Sequence, residues 1–262
     1  MSVNLTYTQA RTNLANLVII KSRLFKHYPE IIFGFSTKIG GGRGAPYYFN
    51  LSHSVGDDET VVKDNRKLFF EMLGLGIENV AMQKQVHGDT INYVVKGGFC
   101  GESDAMITGN PNIGLAISSA DCSSIFLYDK KNKVIAAVHS GWRGTQQKIL
   151  LKTLQKLKFE FNSQPGDIVA YLGPSISQMN YEVGSEVAKL FDNKYLIAKG
   201  DKFLLDVAGN NFDMLINFGL DKANVQISNY CSYAMDELLH SYRRDGLHSG
   251  RAFGVIALKT SL

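Results

Sequence analysis

Three residues carry the chemistry this chain is best equipped for: His87, Cys122 and His139. They stand in the runs Gln85-Val86-His87-Gly88, Ala120-Asp121-Cys122 and Val138-His139-Ser140-Gly141-Trp142-Arg143-Gly144. Two imidazoles and one thiolate form a borderline-soft donor set that suits zinc and leaves a fourth position open for a reactant. Copper fits the same donors, with higher affinity. The gaps between the three are much longer than the ligand spacing of a zinc finger, so only convergence in the fold can make a site of them. Taken singly, a His beside a strand is usually a satisfied polar residue, and a buried Cys a small hydrophobe.

The same atoms allow a reading without metal. Cys122 would be a nucleophile, His139 or His87 its base, and Asp121 the group that orients the imidazole. Stoichiometric zinc in the purified protein separates the two readings.

Anion-binding groups surround these positions in sequence. Trp142-Arg143-Gly144-Thr145 leads from a strand into a helix, where free backbone N–H groups and Arg143 suit a phosphate; a plain tight turn explains the glycines equally well. Arg243, Arg244 and Arg251 near the C-terminus, and Arg66 in a helix, offer planar guanidinium forks, with surface Arg–Asp pairing as the alternative. The glycine run 40–42 before Arg43 allows close backbone approach to a ligand or simply a mobile turn. His53 is expected to be an exposed loop residue, and Asp57 or Asp58 a helix N-cap.

These groups need a scaffold. Runs rich in Val, Ile, Phe and Tyr predict strands at 31–36, 91–95, 105–108, 114–118, 125–128, 134–139, 168–172, 225–228 and 253–258. Helical pattern falls at 59–73, 145–159 and 182–191, with weaker pattern at 207–218 and 235–242. Leu150, Leu154, Leu157 and Phe161 follow three-to-four spacing, so one helix face is expected to pack on a sheet. Predicted hairpins at 105–118 and 125–139, mixed with strand–helix units, favour an α+β fold over a strictly alternating parallel sheet. No linker divides residues 1–262, which are read as one domain.

Composition sets the outer limits. The 262 residues are 45% hydrophobic and 20% charged, enough to bury a substantial core. A net charge of +4 with no basic block gives weak support for anionic ligands and none for nucleic acid. Cys100, Cys122 and Cys231 are too few and too widely spaced for a disulfide framework. The N-terminus lacks the pattern of a signal peptide, and no run approaches the roughly 20 apolar residues of a membrane span. A cytoplasmic protein, monomeric or weakly dimeric and without membrane partners, is expected.

In their order, the motifs resemble the YfiH-type laccase-domain family, also labelled multicopper polyphenol oxidoreductase or peptidoglycan editing factor. The resemblance spans roughly 31–260. It is carried by Gly40-Gly41, Asn50-Leu51, Val55-Gly56-Asp57-Asp58, Asn65-Arg66, the three runs around the triad, Asp104-Ala105, Leu172-Gly173-Pro174, Tyr181-Glu182-Val183-Gly184, Ser241 to Asp245 and Gly250-Arg251. It implies a mixed-sheet α/β sandwich related to cytotoxic-necrotizing-factor-like cysteine hydrolases. It also implies zinc on His87, Cys122 and His139, and purine nucleoside chemistry: phosphorolysis of adenosine, inosine and methylthioadenosine, and deamination of adenosine. The expected partners are a purine nucleoside and phosphate. Arg43, Asn50, Arg66, Trp142, Arg143, Arg243 and Arg244 are the expected substrate or phosphate contacts, with Asp121 (or Asp104) moving a proton and Arg143 holding phosphate.

The chain departs from the family pattern at three places. Arg43 stands where Ser is usual, Ser54 takes a common His position with His53 one place earlier, and Ser124 replaces a common Pro. An oxidase built on a trinuclear copper centre needs on the order of ten His ligands, whereas this chain has six His in all. Polyphenol oxidation, peptidoglycan-precursor editing and metal-free cysteine hydrolysis remain the alternative activities.

Overall fold

The computed structural model describes residues 7–12 and 15–259. Two large mixed sheets lie face to face between helical layers. One has seven strands in the order Tyr7–Thr12, Ala15–Ile20, Ile31–Ser36, Ala252–Leu258, Gly114–Ser119, Val80–Lys84, Gly98–Glu102. Its pairs are antiparallel except around Val80–Lys84, which runs parallel to both neighbours. The other has six strands, ordered Val225–Ile227, Ile168–Leu172, Ser123–Asp129, Val134–Ser140, Ala105–Thr108, Ile91–Tyr93. A small three-stranded sheet, Glu182–Val183, Lys202–Leu205 and Leu196–Lys199, completes the strands.

Period-two alternation sorts the side chains of the central hairpin into two cores. Phe126, Tyr128, Ile135 and Ala137 point between the sheets and meet Phe33, Phe35, Leu115 and Ile117. Ile125, Leu127, Ala136 and Val138 point the other way, onto Leu150, Leu154, Leu157 and Leu215 of the helices Ile149–Phe161 and Val207–Phe218. Both faces being buried, these strands read in sequence as continuous apolar runs. The outer face of the seven-stranded sheet is covered by the helix Glu59–Met72 through Phe69 and Phe70. Asp58 caps that helix by accepting from the amides of Thr60 and Val61. The order of layers is helix, sheet, sheet, helices, as a mixed α/β sandwich requires.

Four expectations are corrected. The 105–118 hairpin does not exist: Ala105–Thr108 pairs with Val134–Ser140 and Ile91–Tyr93, while Gly114–Ser119 lies in the other sheet. The 125–139 hairpin is present, with His139 opposite Ser124. The helix at 145–159 is two helices, Trp142–Gln146 and Ile149–Phe161, separated at Lys148 in the left-handed region. Buried Thr145 anchors the first piece to Ser140 and Asn211, which fixes its direction independently of the second. At 182–191 the first two residues form a strand and only Ser185–Ala188 is helical, because Val183 pairs with Phe203. The 235–242 segment is a series of turns: the carbonyls of Asp236, Leu238 and Leu239 accept from Lys38 and Arg244 rather than from a helical ladder.

Candidate metal centre

His87 lies just past the strand Val80–Lys84, in a turn where its own φ is +59°. Asp104 makes that turn possible by accepting from the amides of Val86, His87 and Gly88 at 3.2, 3.0 and 2.7 Å. Cys122 stands at the entrance to Ser123–Asp129, after Asp121 with φ of +98°. His139, 3% exposed, is the penultimate residue of Val134–Ser140. Three strand ends thus deliver the three side chains to one point. Their donor atoms lie within 4.8 Å of one another, and the two imidazoles meet edge to face at 4.8 Å between centroids.

The surroundings prepare these donors. Nδ1–H of His139 donates to Asp104 Oδ1 at 2.7 Å, which in the neutral ring leaves Nε2 unprotonated and free to act as a ligand or base. Burial is the largest single influence on Asp104 and opposes its charge, but the bond and charge of His139 together with the Gly88 and Val86 amides outweigh it and keep the carboxyl below its ordinary value. Burial also works against the Cys122 thiolate, yet His139 and His87 face it and pull the thiol down to about 6. The same thiolate, with Asp104, raises His139 to about 9 against the effect of its own burial. A deprotonated sulfur is the form that both a metal ion and a nucleophilic mechanism require. Gly141 keeps the space clear: a Cβ there would stand 2.8 Å from Cys122 Sγ and 3.4 Å from His87 Cδ2. Donor types, mutual distances and the carboxylate behind one imidazole fit a zinc ion.

The triad opens on a cleft of about 600 Å³. Around it stand Ser52, His53, Ser54, Arg66, Gln85, Phe99, Tyr242 and Arg251. Of the arginines that the sequence offered as anion-binding forks, Arg66 and Arg251 line this cleft, and Arg66 is the one expected substrate or phosphate contact that does so. Arg43 pairs with buried Asp57 at 2.6 Å, and Asn50 bonds the other oxygen of the same carboxylate, so both close the first loop rather than face the cleft. Arg244 is tied to Asp245 and to the carbonyls of Ser232, Tyr233 and Leu239. Arg143 is exposed and stacks on Trp142 at 4.4 Å. Arg243 is exposed too, stacked on Tyr181 and donating to Glu182 O. The expectation that Asp121 orients the imidazole is corrected. Its carboxylate accepts from Ser232 Oγ and the Arg243 amide, both at 2.6 Å, and Asp104 holds His139 instead.

Sequence reasoning missed Phe99 in the cleft wall, and nothing in its exposed edge strand marked it. It placed His53 correctly at the surface but gave it no role. The bond between Asp104 and His139 joins residues 35 apart, and no local pattern announces it.

The chain matches the family model described as multi-copper polyphenol oxidoreductase laccase over residues 32–259. A protein of Deinococcus radiodurans named purine nucleoside phosphorylase is 34% identical over 228 residues, covering 86% of this chain and 88% of that one. One of the same name from Bacteroides thetaiotaomicron is 32% identical over 252 residues, covering 88% and 93%. The crystal structure of Bacillus licheniformis hypothetical protein YfiH superposes with a TM-score of 0.88 at 25% identity, covering 97% of this chain and 99% of that one.

Proposed function

This chain belongs to the multi-copper polyphenol oxidoreductase laccase family, and from that premise we propose that it is a zinc-dependent purine nucleoside phosphorylase. Adenosine, inosine and methylthioadenosine are the proposed substrates, with deamination of adenosine as a second activity at the same site. The observation that carries the reading is the convergence of His87, Cys122 and His139 within 4.8 Å on a cleft that also holds arginine and aromatic side chains. The names of the relatives from Deinococcus and Bacteroides support it.

A zinc ion on these three donors supplies Lewis acidity toward an oxygen or nitrogen of the substrate. Asp104 holds His139 and the His87 turn in register, so the donors do not need to reorganise during turnover. Phe99 and Tyr242 are exposed in the cleft wall and offer π-faces to a purine. In phosphorolysis a phosphate oxygen bonds C1′, the glycosidic C–N bond breaks, and the departing purine takes the electron pair and a proton. Asp104 and Asp121 are both occupied by protein donors. The proton is therefore assigned to His53. It gives that proton from its protonated form, and burial and then Arg66 lower its pKa, which makes that form the stronger acid toward the departing purine.

The copper oxidase reading is weaker on donor count. Outside the triad, His53 is the one further imidazole lining this cleft, and His240 is buried against Phe49 O. The cysteine hydrolase reading keeps one specific support, the depressed Cys122 thiol facing His139. Cys100, Cys122 and Cys231 are all free thiols, which suits a reducing cytoplasm.

Metal analysis and turnover of adenosine and inosine with phosphate, on one preparation, test the proposal. Stoichiometric zinc with free base and ribose 1-phosphate is the expected result. A zinc-free protein that turns over undiminished, and is inactivated by iodoacetamide at Cys122, would replace this reading with the hydrolase.

A further inference from the structure

We propose that Arg66 and Arg251 form the phosphate-dianion subsite of the cleft, in place of the exposed arginines Arg143 and Arg243. This rests on the phosphorylase reading for its co-substrate, but the geometry stands by itself. Arg66 donates from Nε to Leu51 O at 2.7 Å and lies over the Phe253 ring. Arg251 donates from Nη1 to Ser249 O and Gly250 O and lies over the Tyr242 ring. Each guanidinium is thus held in a fixed plane by one aromatic face and by backbone carbonyls.

Both forks are only partly used. The two terminal nitrogens of Arg66, and Nε and Nη2 of Arg251, have no protein acceptor among the described residues. Neither side chain forms an ion pair with a carboxylate among the described residues, in contrast with Arg43 on Asp57 and Arg244 on Asp245. Both are half-buried, and burial pulls Arg66 down to about 10, still charged at neutral pH. Arg66 has lost part of its hydration without a carboxylate in contact, and Arg251 feels Asp121 and Cys122 only at a distance, so an anion that meets their free N–H groups directly binds favourably. Exposed Arg143 and Arg243 keep their water and gain less from the same anion. Two planar forks with spare N–H groups match the several oxygens of a phosphate.

Both arginines line the same cleft as the triad. A dianion between them would lie within the space that a nucleoside entering toward His87 and Cys122 also occupies. Inorganic phosphate and the 5′-phosphate of a nucleotide share this chemistry.

Calorimetric titration of the 262-residue chain with inorganic phosphate, and separately with AMP, reads the subsite without turnover. Arg66→Gln and Arg251→Gln should each weaken phosphate binding by roughly tenfold to a hundredfold, the range for a lost charged hydrogen bond. In the turnover assay they should raise KM for phosphate by more than they raise KM for the nucleoside. Arg66→Lys, which keeps the charge, should lose less and guards against a folding defect. Phosphate binding that survives both glutamine variants, or that Arg143→Gln or Arg243→Gln abolishes, overturns the assignment. So does AMP binding without any response to inorganic phosphate. Arginine-dependent phosphate binding in a protein that phosphorolyses no nucleoside retains the subsite and discards the phosphorylase reading.

Discussion

The triad side of the cleft and the arginine side differ in how their polar groups are satisfied. Behind the triad, Asp104 takes four hydrogen bonds, and Asp121 is matched by Ser232 and the Arg243 amide. His139 is anchored in a strand whose residues are all buried. On the arginine side, side chains from a helix and a C-terminal turn leave N–H groups unmatched. A metal ion would need donors preset to fractions of an ångström, and the support behind the triad is complete within the protein. An exchangeable anion, as proposed for the other wall, would need donors left over, and Arg66 and Arg251 have them.

The strongest way to break this comparison is to remove a donor. Cys122→Ala should reduce zinc to trace and nucleoside turnover to background, with the far-UV circular dichroism unchanged; zinc retained at one per chain would deny that the triad is the metal site. Asp104→Asn should weaken zinc binding by about 10–100-fold, measured by competition with a chelator, as loss of a carboxylate behind a ligating imidazole does elsewhere. If zinc affinity is indifferent to that change, the preset character of this wall is wrong.

Gly141→Ala probes the same wall sterically. The new methyl meets Cys122 Sγ at 2.8 Å, so zinc content should fall and stability drop by about 1–3 kcal/mol. Thermal melting with and without added zinc measures both.

The arginine wall has its own sensitivity, through His240. This residue is buried against Gly250, beside Arg251. Burial, then the charges of Lys38 and Arg251, push its pKa from 6.5 down to about 3. The unfolded chain binds a proton there below pH 6.5 while the folded chain does not, so stability falls as pH drops from about 6.5 toward 3. His240→Gln should flatten the melting temperature over that range; an unchanged slope would mean that other groups set it. The smallest expected effect is a control far from the cleft. Lys67 and Glu71, exposed at 3.9 Å on one helix face, should contribute no more than about 0.5 kcal/mol, so Lys67→Ala should melt almost as wild type.

Much of the scaffold was legible in the chain. Buried strands such as Ile168–Leu172 and Val134–Ser140 are continuous β-branched and apolar runs, and the Leu150, Leu154, Leu157 stripe announced its helix. The strands Val80–Lys84 and Gly98–Glu102 went unseen because Lys, Gln and Gly dilute their pattern. The 182–191 segment misled because Val183, Val187 and Ala188 fit helical spacing, while pairing with Lys202–Leu205 takes its first residues into a sheet. In the site, residue type made His87, Cys122 and His139 candidates, and the resemblance of the ordered motifs to a known family set them above an ordinary buried His or Cys.

The sequence by itself determined the donor types, the apolar periods and the places where the backbone can turn, since these are local properties of each residue. Only the tertiary structure decided which carboxylate stands behind His139 and which arginines keep N–H groups to give. Those depend on partners brought together from distant parts of the chain: Asp104 with His139, Asp121 with Arg243, Arg66 with Leu51. A hydrogen bond is satisfied by proximity in space, and proximity across such separations exists only once the two sheets have packed.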